Sequence, residues 1–181
     1  MGIIGRAKKV KLFCAILDGG ESVKEKAFAE LEKKLGKIDF TSEIINFEDF
    51  TSYYNAEMGV GIKRFWISFE NLISPEDLAE IKVFTNSLED ELSVNNKRRV
   101  NIDPGYVSAA NVILASTKDF SHRIYLGKGI YAEVTTIYKK EGFIKLPWSY
   151  PDYMSQTASD FLMKIRTSLM KRLKEISSQA I

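Results

Sequence analysis

Residues 10–20 read VKLFCAILDGG, an almost continuous apolar run that ends at an aspartate and two glycines. A run of this length without polar alternation is typical of a strand buried on both faces of a sheet. The segment therefore predicts the central strand of the fold. It also contains the only cysteine, Cys14, which we interpret as a small buried apolar side chain that forms no intrachain disulfide.

Two helices are predicted among the strands that follow. The first begins at a capping-box pattern over residues 22–25, headed by Ser22, and stops at Gly36. The second begins at Ser74, with Pro75 in its first turn and Asp77 completing the capping box. Its apolar side chains repeat at helical spacing: Leu78, Ile81, Phe84, Leu88 and Leu92. A polar row on the same helix is predicted to face solvent: Thr85, Asn86 and Glu89.

Further strands are predicted within residues 38–47, at 62–69 and at 99–102. The resulting order is that of the ferredoxin-like βαββαβ arrangement, an antiparallel sheet with both helices on one face. Beyond residue 105 the pattern predicts strands near 107–115, 122–126, 130–138 and 143–146, then a C-terminal helix. The apolar stripe of that helix is Phe161, Ile165, Leu169, Leu173 and Ile176. We thus expect one α+β domain over residues 1–181, with a ferredoxin-like half at 1–105 and an antiparallel hairpin region plus helix at 106–181.

The composition limits the classes of protein to which this chain can belong. A chain of 181 residues with 45% hydrophobic content is large enough for one well-buried core. A net charge of +2, from 26 basic and 24 acidic residues, gives no global reason to bind a polyanion, although a local basic patch keeps nucleic acid open. No stretch approaches the roughly 18 continuous apolar residues of a membrane helix, and residues 1–10 lack the apolar core of a signal peptide. We expect a cytoplasmic protein without a membrane partner, and the sequence assigns no oligomeric state.

A polar and aromatic series at residues 101–106 (NIDPGY) and 114–133 (LASTKDFSHRIYLGKGIYAE) is where a site is expected. If the protein is an enzyme, the acid–base groups would be His122 with Asp103 or Glu133, since histidine exchanges protons near neutral pH. The residues predicted to bind a ligand are Lys118, Arg123, Tyr125, Tyr131, Trp148, Tyr150, Asp152 and Arg64. Residues 53, 54, 57 and 63 are candidates for the same cavity or for an exposed loop.

Each of these motifs also has a structural interpretation. A hairpin around residues 127–129 would pair Arg123 with Glu133 as a cross-strand ion pair, which contributes about 0.2–1 kcal/mol when exposed. The same register pairs Tyr125 with Tyr131 on one face and places an apolar set on the other: Ile124, Leu126, Ile130, Ala132 and Val134.

Two proline-containing segments are likewise open to two interpretations. Residues 103–106 (DPGY) suit a type II turn, or hold a carboxylate rigidly at a strand end. Residues 147–153 (PWSYPDY) suit a lid packed over the sheet, or a stacking wall for a base with Asp152 as hydrogen-bond acceptor.

Several familiar sites are absent from the sequence. There is no phosphate loop, no nucleophile elbow and no dinucleotide-binding glycine pattern. One histidine and no cysteine cluster leave no metal site at a recognisable spacing. The sequence therefore assigns neither a metal nor a cofactor.

Eight motifs that occur in order resemble the prokaryotic family known as domain of unknown function 4416. They are 55–59 (NAEMG), 69–72 (FENL), 85–89 (TNSLE), 100–106 (VNIDPGY), 115–118 (ASTK), 122–126 (HRIYL), 129–133 (GIYAE) and 148–153 (WSYPDY). The resemblance covers nearly the whole chain. Some members carry a GTP-binding label, which implies a nucleotide as a candidate ligand, and the family has no established catalytic residues to carry over.

Three functions compete at this stage. The leading hypothesis is a small anionic ligand, with a nucleotide as one candidate, bound in a cleft lined by the 101–133 and 147–153 motifs. The second is a single-stranded RNA-binding module of RRM-like order, with base-stacking aromatics such as Phe13 and Trp66 on the central strands. The third is a non-catalytic interaction subunit that docks through its basic C-terminal helix.

Overall fold

The computed structural model describes residues 2–20 and 23–179, and within them the chain forms nine strands and four α-helices. The strands are β1 (Val10–Asp18), β2 (Ile38–Thr41), β3 (Ile45–Asn46), β4 (Lys63–Ile73), β5 (Val100–Val107), β6 (Asn111–Ser116), β7 (Ile124–Gly127), β8 (Ile130–Lys139) and β9 (Gly142–Lys145). The helices are α1 (Lys24–Leu35), α2 (Asn55–Met58), α3 (Leu78–Glu91) and α4 (Gln156–Gln179). Ser22, the predicted cap of the first helix, lies outside the described residues.

All nine strands belong to one antiparallel sheet, in the order β2-β4-β1-β5-β6-β8-β7. The short strands β3 and β9 pair with β4 and β8, respectively. The predicted α+β class with a large antiparallel sheet and a C-terminal helix is therefore confirmed.

Strand β1 lies inside this sheet and is buried on both faces, as its unbroken apolar run predicted. Leu12, Cys14 and Ile16 pack in the core beneath α1 and α3. The alternate residues Phe13 and Ala15 pack beneath α4. The C-terminal helix supplies the second layer that a doubly buried strand requires.

Burial of the α4 stripe follows from this packing. Phe161, Ile165 and Leu169 are buried, whereas Ile176 is exposed near the end of the helix. The same helix covers the face of β1 and β4 that would stack bases in an RRM, and Phe13 and Trp66 are both fully buried. Base stacking on that face would require α4 to move away. No helix in the described part of the chain has the length and apolar content needed to cross a membrane.

Helix α3 begins as its sequence predicted, but the prediction for its polar row was wrong. The backbone N–H of Ser74 donates to the Asp77 carboxylate at 2.9 Å, one half of the capping box. Thr85 and Glu89, predicted to face solvent, are buried, and Asn86 is half-buried. The buried side of α3 therefore carries polar groups as well as apolar ones.

Strands β5 and β6 diverge and leave a fork in the sheet. They pair only from Gly105 to Val107, while β6 pairs with β8 over its full length. A Cβ at Gly105 would stand 2.8 Å from Leu114 Cδ2 and 2.8 Å from Phe13 Cζ, so only glycine allows the strands to meet here. Residues 103–106, predicted as a type II turn, are instead part of β5.

Pro104 is tolerated inside β5 because of the fork. The backbone N–H and C=O of Ile102 point away from β1, toward side chains of α3. Alternate residues direct their backbone groups to the same edge of a strand. The missing N–H of Pro104 is therefore on the open edge, where it removes no bond to β1.

The hairpin of β7 and β8 has the predicted Tyr125–Tyr131 pair. Its turn is Lys128-Gly129, with φ values of 56° and 75°, as in two-residue hairpin turns. The predicted apolar face is only half buried, since Ile130 is buried but Ile124 is 71% exposed. The difference arises because β7 lies at the edge of the sheet.

Candidate functional site

A cavity of about 800 Å³ opens at the fork between β5 and β6. Its walls come from the ends of these strands, from α3, from residues 47–57 and from residues 150–153. The volume lies within the range of about 300–1,000 Å³ that is usual for small-molecule sites.

Seven of the 25 residues that line the cavity are aromatic: Phe47, Phe50, Tyr53, Tyr54, Phe120, Tyr150 and Tyr153. Phe47 and Met58 anchor the first part of this wall by packing around Leu17 at the end of β1. Tyr53 and Tyr54 meet edge to face with ring centroids 5.0 Å apart. We refer to this set of seven residues as the aromatic wall.

The side of the cavity next to β5 is charged. Lys82 Nζ, on α3, donates to Asp103 at 2.9 Å and to the carbonyl of Ile102 at 3.1 Å. Glu89, also on α3, accepts from the N–H of Ile102 at 2.7 Å. These two side chains replace the strand partner that β5 lacks at the fork.

Arg98 extends the same network. Its guanidinium forms a two-point contact with Glu57, with N–O distances of 2.6 and 2.8 Å. One further nitrogen donates to Glu89 at 3.0 Å and to Asn101 at 2.6 Å. Asn101 in turn donates to Asp103 at 2.7 Å. One hydrogen-bonded chain therefore connects Glu57, Arg98, Glu89, Asn101 and Asp103.

Burial and charge shift the pKa values of this network in opposite directions. Burial disfavours the Asp103 carboxylate, but Lys82 and Arg64 outweigh it and the pKa of Asp103 lies below its usual value. Burial is the larger effect at Glu89, whose pKa is raised despite the nearby Lys82. The surroundings of these two carboxyl groups therefore shift their pKa values in opposite directions.

Arg64 is the most unusual cation of the wall. It is 5% exposed, and its guanidinium lies 5.0 and 5.6 Å from the centroids of the Phe47 and Trp66 rings. Its Nε is 2.8 Å from Asp152 Oδ2, which makes an ion pair. This contact does not have hydrogen-bond geometry, and Nε, Nη1 and Asp152 Oδ2 are all buried without a hydrogen-bond partner among the described residues.

Arg123 and Glu133 form a buried pair rather than an exposed one. Arg123 Nε donates to Glu133 Oε2 at 2.7 Å, and the two side chains are 3% and 1% exposed. The other nitrogens of Arg123 donate to Ser116, to the carbonyl of Lys118 and to the Tyr150 hydroxyl at 2.8–2.9 Å. Arg123 therefore joins β6, β8 and the 147–153 segment.

His122 contacts the same carboxylate from outside the cavity. Its Nε2 lies 3.2 Å from Glu133 Oε2. Its ring stacks on Trp148, with centroids 5.0 Å apart and planes 13° apart, and lies parallel to Phe120 on the other side. Trp148 donates to the carbonyl of Val134 at 2.8 Å, which attaches the 147–153 segment to the sheet.

The structure brings together seven of the eleven residues predicted for the site. Those on the cavity wall are Asp103, Glu133, Lys118, Arg123, Tyr150, Asp152 and Arg64. Those that do not line it are His122, Tyr125, Tyr131 and Trp148. Of the additional candidates, Tyr53, Tyr54 and Glu57 line the cavity, and Lys63 does not.

The sequence interpretation missed Lys82 and Arg98. A signal for Lys82 exists, because Leu78, Lys82, Thr85 and Glu89 follow the spacing of one helix face. No comparable pattern marks Arg98, whose partners Glu57 and Glu89 come from distant parts of the chain.

Chemically, the wall presents five basic and five acidic side chains. Lys118 is the only one of the five cations without a carboxylate within 4 Å in the described part of the chain, and its ammonium lies 5.5 Å from the centroid of Tyr53. Within residues 2–20 and 23–179, no three His, Cys, Asp or Glu side chains are grouped as a metal site. Arg64 and Lys118 are thus the two cations of the wall that make no hydrogen bond to a carboxylate among the described residues.

Comparison with known proteins agrees with the motifs in the sequence. The family model Domain of unknown function (DUF4416) matches residues 8–169. No curated protein and no solved structure matches the chain. Because the family match covers most of the 181 residues, the chain belongs to the DUF4416 family.

Proposed function

We propose that this protein binds a small anionic ligand in the cavity at the β5–β6 fork. The acidic group of the ligand contacts Arg64, and a ring packs on the aromatic wall. The observation that carries the proposal is the Arg64 guanidinium, which is almost completely buried on the cavity wall and donates no hydrogen bond to any described residue.

Burial of a charged donor without an acceptor costs free energy, commonly about 1–3 kcal/mol or more. Because Nε and Nη1 are closed off, a ligand oxygen would accept from Nη2, and this hydrogen bond would offset part of that cost. The other cations of the wall already make such bonds: Lys82, Arg98 and Arg123 each donate to carboxylates at 2.6–3.0 Å. Arg64 is therefore the cation whose hydrogen bonding a ligand can improve.

The position of Lys118 also supports the binding of an anion in this cavity. Lys118 is exposed, it lies against Tyr53 and it belongs to the loop that leaves β6 at the fork. An ammonium at this position attracts an anion toward the cavity without first giving up a carboxylate partner.

The proposal concerns binding rather than a reaction. Each carboxylate of the wall lies within ion-pair distance of a cation, so none is an uncommitted base. If the ligand reacts, Asp103 and Glu89 are the acid–base candidates that we favour, because their surroundings shift their pKa values apart. His122 would act only through Glu133, since its ring lies outside the cavity lining.

The finer fold assignment belongs with this proposal. We interpret β1, α1, β2, β4, α3 and β5 as a ferredoxin-like half, which the neighbour order β2-β4-β1-β5 supports. In this interpretation, the added strand β6 pairs with only part of the outer edge of β5, and the rest of that edge borders the fork.

A thermal-shift screen tests the proposal. The purified protein is screened against nucleotides, sugar phosphates and organic acids, because a ligand that binds the native state raises its melting temperature. Each hit is repeated with Arg64→Met, Lys118→Met and the control Lys140→Met, which changes an exposed lysine outside the cavity lining.

We expect a hit whose shift is lost in Arg64→Met, reduced in Lys118→Met and unchanged in Lys140→Met. Lys118→Met keeps the test valid if Arg64→Met fails to fold, since Lys118 is exposed. Hits that are unaffected by both cavity variants would contradict the proposal, and so would a library without any hit.

A further inference from the structure

We infer that the ligand of this cavity is a ring-bearing compound with one carboxylate, rather than a nucleoside triphosphate. This inference rests on the proposed function and specifies its ligand. It follows from the charge balance of the cavity wall, the shape of the Arg64 site and the aromatic wall.

The charge balance limits the charge of the ligand. The five basic side chains of the wall are matched in number by five acidic ones, so the lining carries no net formal charge. Arg98 faces two carboxylates, Glu57 and Glu89, whereas Lys118 faces none within 4 Å among the described residues. Lys118 can therefore balance about one negative charge on a ligand.

The charge of a triphosphate does not match the charges of this cavity wall. A triphosphate carries several negative charges, and sites for such groups gather cations or backbone N–H groups around the phosphates. Here the same space is bordered by five carboxylates, of which Asp103 has its pKa lowered and stays ionised at neutral pH. Like-charge repulsion would oppose a polyphosphate at this position.

The Arg64 site suits a planar group. Two aromatic rings, Phe47 and Trp66, hold the guanidinium at 5.0 and 5.6 Å and restrict its orientation. Nε and Nη1 of Arg64 are buried, so Nη2 is the nitrogen that can donate to a ligand, and it directs an acceptor oxygen into the plane of the guanidinium. The neighbouring Asp152 makes no hydrogen bond to Arg64, since its Oδ2 and Arg64 Nε are both without a hydrogen-bond partner among the described residues.

Burial weakens Asp152 as a competitor for Arg64. The pKa of Asp152 is raised by burial in spite of the charge of Arg64. A ligand carboxylate with better geometry would therefore compete for Arg64 against a carboxylate in an unfavourable environment.

The aromatic wall is the reason why we expect a ring in the ligand. Its seven side chains are distributed around the cavity from residue 47 to residue 153. Such walls bind flat apolar groups by stacking and by edge-to-face contacts. In a compound with a carboxylate on an aromatic ring system, the carboxylate can contact Arg64 while the ring packs on the aromatic wall.

Isothermal titration of the full chain tests this inference. The probes are a library of aromatic monocarboxylates, each beside its neutral amide, together with AMP, ATP and GTP with and without Mg²⁺. The proteins are the wild type, Arg64→Lys, which keeps the charge but not the planar guanidinium, and the control Lys140→Met.

We expect at least one monocarboxylate to bind more tightly than all three nucleotides, and its amide to bind about tenfold more weakly or worse. Arg64→Lys should weaken the acid about tenfold and leave the amide unchanged, whereas Lys140→Met should change neither. Lys118→Met, which affects an exposed side chain, replaces Arg64→Lys if the latter does not fold.

The two proposals fail in different ways. Tighter binding of ATP or GTP than of every acid, with sensitivity to Arg64→Lys, would overturn the monocarboxylate and leave the anion-binding function standing. An acid and its amide that bind equally would also overturn the monocarboxylate. Failure of every acid and nucleotide to bind would overturn both.

Discussion

Replacement of Gly105 by alanine tests the packing that creates the fork. The added Cβ would lie 2.8 Å from Leu114 Cδ2 and from Phe13 Cζ, and closer still to the carbonyl oxygen of Ile113. The leucine tip can rotate, but the carbonyl belongs to the backbone of β6, where Gly105 pairs with Leu114. Relief therefore requires β6 to move away from β5.

Overpacking of a rigid core commonly costs about 1–3 kcal/mol. Because a backbone atom is involved, we expect the upper end, about 3 kcal/mol. With a urea m-value of about 2 kcal/mol/M, the unfolding midpoint should fall by about 1.5 M.

Equilibrium unfolding in urea, followed by tryptophan fluorescence, measures this change. The matched control is Gly5→Ala, because a Cβ at Gly5 meets nothing within 4 Å and neither glycine has a positive φ. Both alanine variants add the same methyl group, so the difference between them isolates the contact with β6. Midpoints for Gly105→Ala and Gly5→Ala within about 0.25 M of each other would refute the described packing at the fork.

Further predictions concern the charged side of the cavity. Lys82→Met should lower the free energy of unfolding by about 3 kcal/mol, since it removes the cation next to the buried Glu89 and next to Asp103, whose side chain is 31% exposed, whereas Lys140→Met should change it by less than about 0.5 kcal/mol in the same urea assay. The stability advantage of the wild type over Asp103→Asn should be complete above about pH 4 and should disappear as the pH falls through the lowered pKa of Asp103, because the unfolded state binds the proton more readily. Glu89→Gln should show the opposite slope: the raised pKa of Glu89 means that the native wild type binds the proton more readily, so the wild type loses stability relative to the variant as the pH rises above about 4.3. Urea unfolding from pH 2 to pH 8 measures both slopes, and slopes of the same sign would contradict the opposed pKa shifts.

Features of the fold that depend on local pattern were predictable from sequence. The apolar run of β1 identified a strand buried on both faces, and Ser74 with Asp77 identified the start of α3. The parity of side chains around Gly127 and Gly129 gave the Tyr125–Tyr131 pair. In each case neighbouring residues carry the information.

Features that depend on distant segments were not predictable in the same way. Residues 103–106 carry turn residues, and only the divergence of β6 allows Pro104 and Gly105 to lie in a strand. Glu89 belongs to a polar row that the sequence places toward solvent, whereas its partners Arg98 and Ile102 become neighbours only in the folded chain.

The candidate site also combines features that local pattern predicted with features that depend on distant segments. The motifs located Asp103, Lys118 and Arg123 near one another, since glycine and proline separate short strands that return to the same region. The motifs also favoured His122, yet its stacking between Phe120 and Trp148 keeps it outside the cavity lining. The role proposed for Arg64 depends on rings and a carboxylate from β4, from residue 47 and from residue 152, which no local pattern connects.

The most direct test of the ligand site is the NMR signal of the Arg64 Nε–H group during titration with the tightest-binding aromatic acid. The signal is identified by its loss in Arg64→Lys, and Arg166, which donates to the carbonyl of Ala109, serves as internal reference. Binding at Arg64 predicts a saturable shift of the Arg64 signal with the same dissociation constant as the calorimetry, and an unchanged Arg166 signal. Saturation of the protein with the acid while the Arg64 signal stays in place would contradict the proposed anion site.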